Sequence, residues 1–285
     1  MSAARSFKQE LVGVFGFPVA ENPTQAMIEP AFAALGLDWR YLTVEVRPEQ
    51  LADAVRGARA MNWRGFNCTI PHKIAVIPHL DQLSQVAEAI GAVNCVVARD
   101  GRLIGDNTDG KGFLQSLRSL CPIPGLNVTI LGAGGAARAV AVELACAGAA
   151  KLTVVNRTGP RGQELARDVQ ARTGVPTTFE KWEGEYPVPA DVDVLVNATS
   201  IGLYPDLDGR PPVDFGHVAP SLIVCDVIPN PPHTKFLLEA ELRGLKTLDG
   251  LGMLVHQGVI GIALWTGLAA DPELMRTALR DALGA

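Results

Sequence analysis

Apolar and polar positions follow two different rhythms along this chain. Short runs rich in Val, Ile and Leu predict strands, and the segments between them space their apolar residues as a helix does. Predicted strands cover 11–15, 41–46, 65–70, 92–98, 102–104, 128–131, 152–155, 193–197, 222–227 and 246–248. Predicted helices cover 23–36, 48–60, 83–90, 113–120, 138–147, 163–172, 234–243 and 250–268, before a last helix capped by Asp271-Pro272. This alternation predicts an α/β fold with mostly parallel sheets.

Local signals refine the first hundred residues. Asn22 is predicted to cap the first helix, with Pro23 as its first residue. Pro30 removes a helical hydrogen bond, so we expect it to kink or restart that helix. Asp100-Gly101 is predicted to turn one strand into the next as a hairpin.

The segment from Asn127 to Thr158 predicts a strand, a glycine-rich turn, a helix and a second strand. Its turn has the spacing G-x-G-x-x-A, in which Gly132 permits a sharp bend and Gly134 leaves room for a pyrophosphate. The helix start then presents free N–H groups to phosphate. A helix packed tightly on a sheet gives the same spacing, but the flanking strands favour a dinucleotide site. Its loop residues are Gly132, Ala133, Gly134, Gly135 and Ala136.

The end of the second strand in this segment predicts the cofactor. An NAD site usually places a carboxylate there, whereas an NADP site places arginine against the 2'-phosphate. This chain offers Asn156, Arg157, Thr158 and Arg161, with no carboxylate among them. The alternative is a pair of solvated arginines at the start of a helix. We predict NADP.

Composition narrows the functional class. The 285 residues are 48% hydrophobic and 19% charged, with a net charge of -5 and no basic stripe, which argues against nucleic-acid binding. No apolar run is long enough for a membrane span and the N-terminus lacks a signal pattern, so a cytoplasmic protein is expected. The five cysteines and five histidines are scattered without metal-binding spacing, so no metal site is expected.

Seven segments, in order along the chain, resemble motifs of the shikimate dehydrogenase family. They are 67–73 (NCTIPHK), 91–94 (GAVN), 107–109 (NTD), 132–138 (GAGGAAR), 156–158 (NRT), 197–202 (NATSIG) and 250–257 (GLGMLVHQ). The resemblance implies an N-terminal α/β substrate domain (1–112), a Rossmann-type NADP domain (113–248) and C-terminal helices (249–285) that return to the first domain. The active site would lie in the cleft between the domains.

Lys73 and Asp109 are the candidate catalytic pair. Hydride transfer to or from a carbinol carbon needs a group that gives or takes the oxygen's proton, and an ammonium oriented by a carboxylate can do this. The resemblance assigns this role to the two residues, although a surface lysine and a turn aspartate remain the alternative. It also implies that Thr69, Asn94 and Gln257 bind substrate hydroxyls, and that Thr199, Val227 and Gly250 lie near the nicotinamide.

One part of the family pattern is missing. The family usually has a histidine and a Ser-x-Ser pair after its first strand, and a tyrosine further on, for the substrate carboxylate. Here Glu21, Asn22, Pro23 and Thr24 replace the former, and Pro229 the latter. Asn22 and Thr24 can still bind substrate, while Glu21 would repel an anion if it pointed inward.

We therefore hypothesise an NADP-dependent oxidoreductase that interconverts a ring alcohol and ketone on shikimate or a close analogue, with altered demands at the carboxylate. Quinate or an aminoshikimate-like compound are alternative substrates. A non-catalytic NADP sensor and a folate-linked dehydrogenase are alternative functions, and the retained lysine, aspartate and motif order argue against both. The oligomeric state, monomer or homodimer, is left open.

Overall fold

The computed structural model describes residues 7–284 and contains two six-stranded sheets covered by helices. The first part of the chain forms β1 (Glu10–Gly16), α1 (Thr24–Ala34), β2 (Trp39–Glu45), α2 (Leu51–Ala60), β3 (Gly65–Cys68), α3 (His72–Ala75), β4 (Gln82–Leu83), α4 (Gln85–Ile90), β5 (Cys95–Arg99), β6 (Arg102–Asp106) and α5 (Asp109–Leu117). The second part forms β7 (Asn127–Leu131), α6 (Gly135–Cys146), β8 (Lys151–Asn156), α7 (Gly159–Thr173), β9 (Thr177–Lys181), β10 (Tyr186–Pro187), β11 (Val194–Asn197), β12 (Val213–Asp214), β13 (Ile223–Asp226), α8 (Lys235–Leu242) and β14 (Lys246–Leu248). Two helices, α9 (Gly250–Thr266) and α10 (Pro272–Leu283), follow. The predicted α/β class is confirmed.

The first sheet gathers the candidate substrate residues at one edge. Its strand order is β2-β1-β3-β5-β6-β4, with β1, β2 and β3 parallel and β5 antiparallel to both neighbours. The carboxyl ends of β1, β3 and β6 therefore meet the amino end of β5 at the same edge. The predicted hairpin between β5 and β6 is confirmed, and both turn residues, Asp100 and Gly101, have positive φ.

Helix α1 differs from its prediction in two details. It begins at Thr24, not at Pro23, and the Oδ1 of Asn22 accepts a hydrogen bond from the Thr24 N–H at 3.1 Å. It also runs through Pro30 without interruption, so the predicted restart there is wrong. The helix buries Met27 and Phe32 completely, and this packing outweighs the hydrogen bond that the exposed proline removes.

Helix α5 starts four residues earlier than its sequence predicts. Asp109 is its first residue, and the start predicted at 113 is wrong because the two glycines that disfavour a helix are needed for packing. A Cβ on Gly110 would lie 2.4 Å from the carbonyl oxygen of Ala139 in α6, and one on Gly112 would lie 2.7 Å from that of Met253 in α9. Helix α5 is thus held closely between the two helices, and it spans the boundary expected between residues 112 and 113.

The second sheet is wholly parallel, in the order β14-β13-β11-β7-β8-β9. This is the doubly wound arrangement in which the chain leaves β7 first to one side and then to the other. Strand β9 lies in a segment predicted to be a loop, because Pro176 and nearby glycines conceal an edge strand. A crevice is expected where the order reverses, between the carboxyl ends of β7 and β11.

The last two helices return to the first sheet, as predicted. Residues of α9 and α10, including Val255, Ile262 and Met275, share one apolar core with β1 and α1. The indole N–H of Trp265 donates to the carbonyl oxygen of Val96 in β5 at 3.0 Å. Within residues 7–284, no helix combines the length and apolar character that crossing a bilayer requires.

Candidate active site

Lys73 and Asp109 form a close ion pair, although 35 residues separate them along the chain. The Nζ of Lys73, in α3, donates to the Oδ2 of Asp109, at the start of α5, at 2.5 Å. Their side chains are 20% and 8% exposed. The amine therefore keeps access to a ligand while its partner carboxylate is shielded from water.

The Asp109 carboxylate is fixed by buried amides. Its Oδ1 accepts a hydrogen bond of 2.7 Å from the Nδ2 of Asn94, so each oxygen has a separate partner. The Oδ1 of Asn94 accepts the Thr108 N–H at 2.7 Å, and the Oδ1 of Asn107 accepts the Asp109 N–H at 3.1 Å. This network determines the direction in which the carboxylate presents itself to Lys73.

Lys73 also contacts the glycine-rich turn. A Cβ built on Gly135 would lie 3.5 Å from the Cδ of Lys73, so the lysine stem packs against the backbone at the start of α6. The Lys73 carbonyl oxygen accepts the Val93 N–H at 2.7 Å. The amine therefore lies where the substrate sheet meets the predicted nucleotide loop.

His72 is a residue of this site that the sequence analysis did not assign. Its ring is fully buried, and its Nε2 lies 2.7 Å from the carbonyl oxygen of Val46, to which it donates. Its Nδ1 has no hydrogen-bond partner within the described residues. The bond to Val46 ties the turn that carries Lys73 to the loop after β2. In the sequence, its position directly before Lys73 is the feature that could have indicated its place in the site.

The predicted substrate residues lie at the edge of the first sheet where Lys73 and Asp109 meet. Thr69 follows β3 and is half-buried, and its hydroxyl makes no hydrogen bond within residues 7–284. The Oε1 of Gln257, in α9, lies 3.5 Å from the Nδ2 of Asn94. Gln257 and Asn94 are 5% and 3% exposed. Both amides are thus close to the dyad, and Thr69 has a hydroxyl available for a ligand.

Residues 21–24, which replace the family's serine pair, are partly buried. The Oδ1 of Asn22 is occupied by the Thr24 N–H, and the Thr24 side chain is buried. Glu21 is exposed to solvent, so an inward-pointing charge is not present in this conformation. Pro229 packs near Gly250, where a Cβ would lie 2.8 Å from the proline nitrogen.

The glycine-rich turn fits a pyrophosphate. Gly134 is exposed, and a Cβ added there would meet no atom within 4 Å. Helix α6 begins directly afterwards at Gly135, without a side-chain cap, so its first N–H groups remain free for an anion. The half-buried Ala133 and Ala136 flank the two glycines. NADP therefore has an open backbone surface to approach here.

Replacing either of two glycines of this turn by alanine is expected to have different effects on stability and on cofactor affinity. Gly134→Ala places a methyl group in open space, so the variant should unfold at the wild-type urea concentration while binding NADPH at least about tenfold more weakly. Gly132→Ala is the matched control. Gly132 has φ +109° and a Cβ there would lie 2.8 Å from the Ala198 oxygen, so this variant should lose stability. NADPH fluorescence titration and urea unfolding measure both, and unchanged affinity in Gly134→Ala would contradict the assignment.

The predicted 2'-phosphate residues follow β8. Arg157 and Arg161 are exposed, and neither forms an ion pair with a carboxylate in the part of the chain that the structure describes. Asn156 donates from Nδ2 to the Thr158 carbonyl oxygen at 2.9 Å, which closes the turn into α7. Thr158 is the N-cap of α7. Two unneutralised guanidinium groups are thus available for a phosphate.

The remaining cofactor candidates surround the ends of β11 and β13. The Oδ1 of Asn197 accepts from the Oγ1 of Thr199 at 2.7 Å, and its Nδ2 donates to Asp226 at 3.1 Å. Burial raises the pKa of Asp226 to about 6, while hydrogen bonds from Ile228, Asn197 and Thr234 oppose the shift. Val227 and Gly250 lie beside this network, whose bonds hold the loop after β11 in place.

The titratable sulfur groups are not poised for chemistry. Cys68 is the last residue of β3, and burial raises the pKa of its thiol to about 12. All five cysteines are free thiols. Within residues 7–284, no cluster of three or more His, Cys, Asp or Glu side chains has an arrangement that could hold a metal ion.

Comparison with known proteins gives the family. Residues 14–96 match the shikimate dehydrogenase substrate binding domain, 117–203 match shikimate / quinate 5-dehydrogenase, and 250–280 match the shikimate 5'-dehydrogenase C-terminal domain. The NADP(+)-dependent shikimate dehydrogenase of Desulforamulus reducens is 42% identical over 277 residues, which are 95% of each chain.

Solved structures show the same two-domain fold. The shikimate 5-dehydrogenase of Thermus thermophilus, in complex with NADP(H) and shikimate, is 38% identical, with a TM-score of 0.85 over 96% of this chain and all of the other. The ligand-free 5-ketofructose reductase of a Gluconobacter species is 50% identical, with a TM-score of 0.90 over 97% of this chain and all of the other. The chain belongs to the shikimate dehydrogenase family and is an NADP-dependent dehydrogenase that acts on a CH–OH group.

Proposed function

We propose that this enzyme interconverts a ketone and an alcohol on a polyhydroxylated substrate that lacks a carboxylate, of the chemical class of 5-ketofructose. The observation that carries the proposal is the altered anion side of the pocket, at residues 21–24 and Pro229. The enzyme class does not depend on this choice. The choice concerns which substrate the shikimate dehydrogenase framework accepts here.

The side of the pocket that would bind hydroxyl groups is retained. Thr69 offers a half-buried hydroxyl, and the amides of Asn94 and Gln257 lie together beside Asp109. Adjacent hydroxyls on a ring or sugar present alternating donors and acceptors that such side chains can match. A polyol and shikimate share this feature, so these residues support either substrate.

The side that would bind a carboxylate is weakened. A hydrogen bond to a charged group contributes about 1.5–3 kcal/mol, so losing the tyrosine phenol at Pro229 should reduce discrimination for an anion by about 10- to 150-fold. Asn22 has already committed its Oδ1 to the backbone of Thr24. Glu21 adds negative charge to the same segment from the solvent side. These changes favour an uncharged substituent over a carboxylate.

The relatives agree with this distinction. The 5-ketofructose reductase is 50% identical to this chain, whereas the Thermus thermophilus and Desulforamulus reducens shikimate dehydrogenases are 38% and 42% identical. Both kinds of relative cover nearly the whole chain. The likeness therefore supports a substrate of the 5-ketofructose class within the same reaction type.

We assign the proton transfer to Lys73 and its orientation to Asp109. When bound, NADP(H) supplies or accepts the hydride. In reduction, the Lys73 ammonium donates a proton to the carbonyl oxygen as negative charge develops there, and in oxidation the neutral amine takes it back. Asp109 holds the amine through its 2.5 Å bond. Thr69, Asn94, Gln257, Asn22 and Thr24 would orient the substrate hydroxyls, and Thr199, Val227 and Gly250 would line the nicotinamide side.

The two sheets divide the chain into a substrate unit and a nucleotide unit. We place the functional division at the two sheets, with the substrate unit ending within α5 and the nucleotide unit ending before α9.

We also infer a cytoplasmic location, since free thiols such as Cys121 and Cys146 suit a reducing compartment.

Shikimate itself is the second candidate, because the hydroxyl-binding side chains match that family and Glu21 points to solvent. The deciding experiment compares kcat/KM for NADPH oxidation with 5-ketofructose and with 3-dehydroshikimate, and for NADP reduction with shikimate and quinate. We expect 5-ketofructose to be preferred over 3-dehydroshikimate by about 100-fold, which corresponds to about 2.7 kcal/mol. Equal or higher kcat/KM with 3-dehydroshikimate would reject the uncharged substrate and leave the dehydrogenase assignment intact.

A further inference from the structure

A chain of buried hydrogen bonds leads from β2, an edge strand of the first sheet, to the catalytic pair. The hydroxyl of Tyr41, in β2, donates to the Oδ1 of Asn67 at 2.8 Å. The Nδ2 of Asn67 donates to the carbonyl oxygen of Asn94 at 2.9 Å. Asn94 then binds Asp109 through its side chain at 2.7 Å. The phenol is therefore connected to the Lys73–Asp109 pair through two asparagines.

Each step of this chain is shielded from solvent. Tyr41 is fully buried, and Asn67 and Asn94 are 7% and 3% exposed. Burial raises the pKa of the Tyr41 phenol well above its ordinary value, and the neighbouring Thr24 hydroxyl has a smaller opposite effect. The phenol thus stays protonated and remains a donor at neutral pH.

The acceptor bonds at Asn94 show why its position depends on Asn67. The carbonyl oxygen of Asn94 accepts both the Asn67 amide and the backbone N–H of Cys68 at 2.9 Å. Asn94 lies just before β5, its own N–H donates to the carbonyl oxygen of Asp106 at 3.2 Å, and its side chain is bonded to Thr108 and Asp109. Without the phenol, the Asn67 amide group is free to turn and Asn94 loses one of its anchors.

We propose that Tyr41 is a positioning residue, which orients the Asn67 amide and through it holds Asn94 and Asp109 in line with Lys73. It touches neither substrate nor cofactor in this role. Thr24 lies beside the phenol, so Tyr41 also connects the altered anion side of the pocket with the catalytic pair. The inference rests on the proposed role of Lys73 and Asp109, and not on which of the two substrate classes is reduced.

The test begins with Tyr41→Phe, which removes one oxygen atom and keeps the ring. We expect kcat to fall about tenfold, the NADPH dissociation constant to change less than about twofold, and the pH profile of kcat to shift relative to wild type. Tyr186→Phe is the matched control. Its hydroxyl is also buried but has no hydrogen-bond partner within the described residues, so its loss should leave kcat unchanged.

A second variant, Asn67→Leu, removes the acceptor at similar volume and decides the result if Tyr41→Phe does not fold. We expect Asn67→Leu to lower kcat at least as much, and the double variant to be no worse than Asn67→Leu alone. Unchanged kcat in either single variant, or effects that multiply in the double variant, would overturn the proposal. If Lys73→Met retains turnover, the role of the pair fails instead, so the two failures are distinguishable.

Discussion

Replacing Lys73 by methionine is expected to lower kcat by at least about a thousandfold while leaving NADPH affinity within about twofold of wild type. General acid–base catalysis by one positioned side chain typically contributes between about 100- and 10,000-fold. Methionine retains the length of the stem that packs on Gly135, so the nucleotide turn keeps its contact. Stopped-flow NADPH oxidation gives kcat, and NADPH fluorescence titration gives the dissociation constant.

Two controls separate chemistry from electrostatic damage. Lys73→Met leaves the Asp109 carboxylate buried without its cation, which costs stability, whereas the double variant with Asp109→Asn removes that charge. The double variant should therefore be folded and equally inactive. Lys181→Met alters an exposed lysine paired with Glu183 and should behave as wild type. Near-normal turnover in Lys73→Met, or a loss confined to NADPH affinity, would contradict the assignment.

Replacing Arg157 by alanine is expected to raise the KM for NADP by about 10- to 150-fold and to change the KM for NAD by less than about twofold. A guanidinium that binds the 2'-phosphate makes charge-assisted hydrogen bonds, each contributing about 1.5–3 kcal/mol, and NAD has no such phosphate. Arg157 is exposed and is not neutralised by a carboxylate within residues 7–284, so its full charge is available. Steady-state kinetics with both dinucleotides measure the ratio.

Arg167→Ala is the matched control for this result, because Arg167 is an exposed arginine further along α7. It should change neither KM. The KM for NADP should also depend less on ionic strength in Arg157→Ala, since salt screens exposed charge pairs and Arg161 alone remains. Equal increases for NAD and NADP would show that Arg157 supports the turn before α7 and does not select the cofactor.

The glycine-rich turn and the order of the α/β elements were predictable because their signals are local. Gly132 and Gly134 stand between a buried strand and a helix. Gly132 has a positive φ that few other residues adopt, and Gly134 leaves open space for a ligand. The pairing of Lys73 with Asp109 was predictable only through the resemblance. Spacing along the chain says nothing about two side chains brought together by separate elements of one sheet edge.

The errors in the prediction come from tertiary packing. Gly110 and Gly112 are poor helix formers, yet α5 includes both because α6 and α9 approach too closely for any side chain. Pro30 is tolerated in α1 because the buried face of that helix outweighs one missing bond. Tyr41 and His72 were not assigned to the site, since each acts through a partner distant in sequence, Asn67 and Val46.

The position of four of the altered residues on loops has an evolutionary consequence. Glu21, Asn22, Pro23 and Pro229 lie on loops, whereas Asp109 is held among buried amides. A duplicated gene can therefore acquire changes in the loops and encounter new metabolites, generation after generation, without disturbing the buried bonds that orient Asp109. One ancestral scaffold can in this way give rise both to biosynthetic enzymes for an acid and to reductases for a sugar.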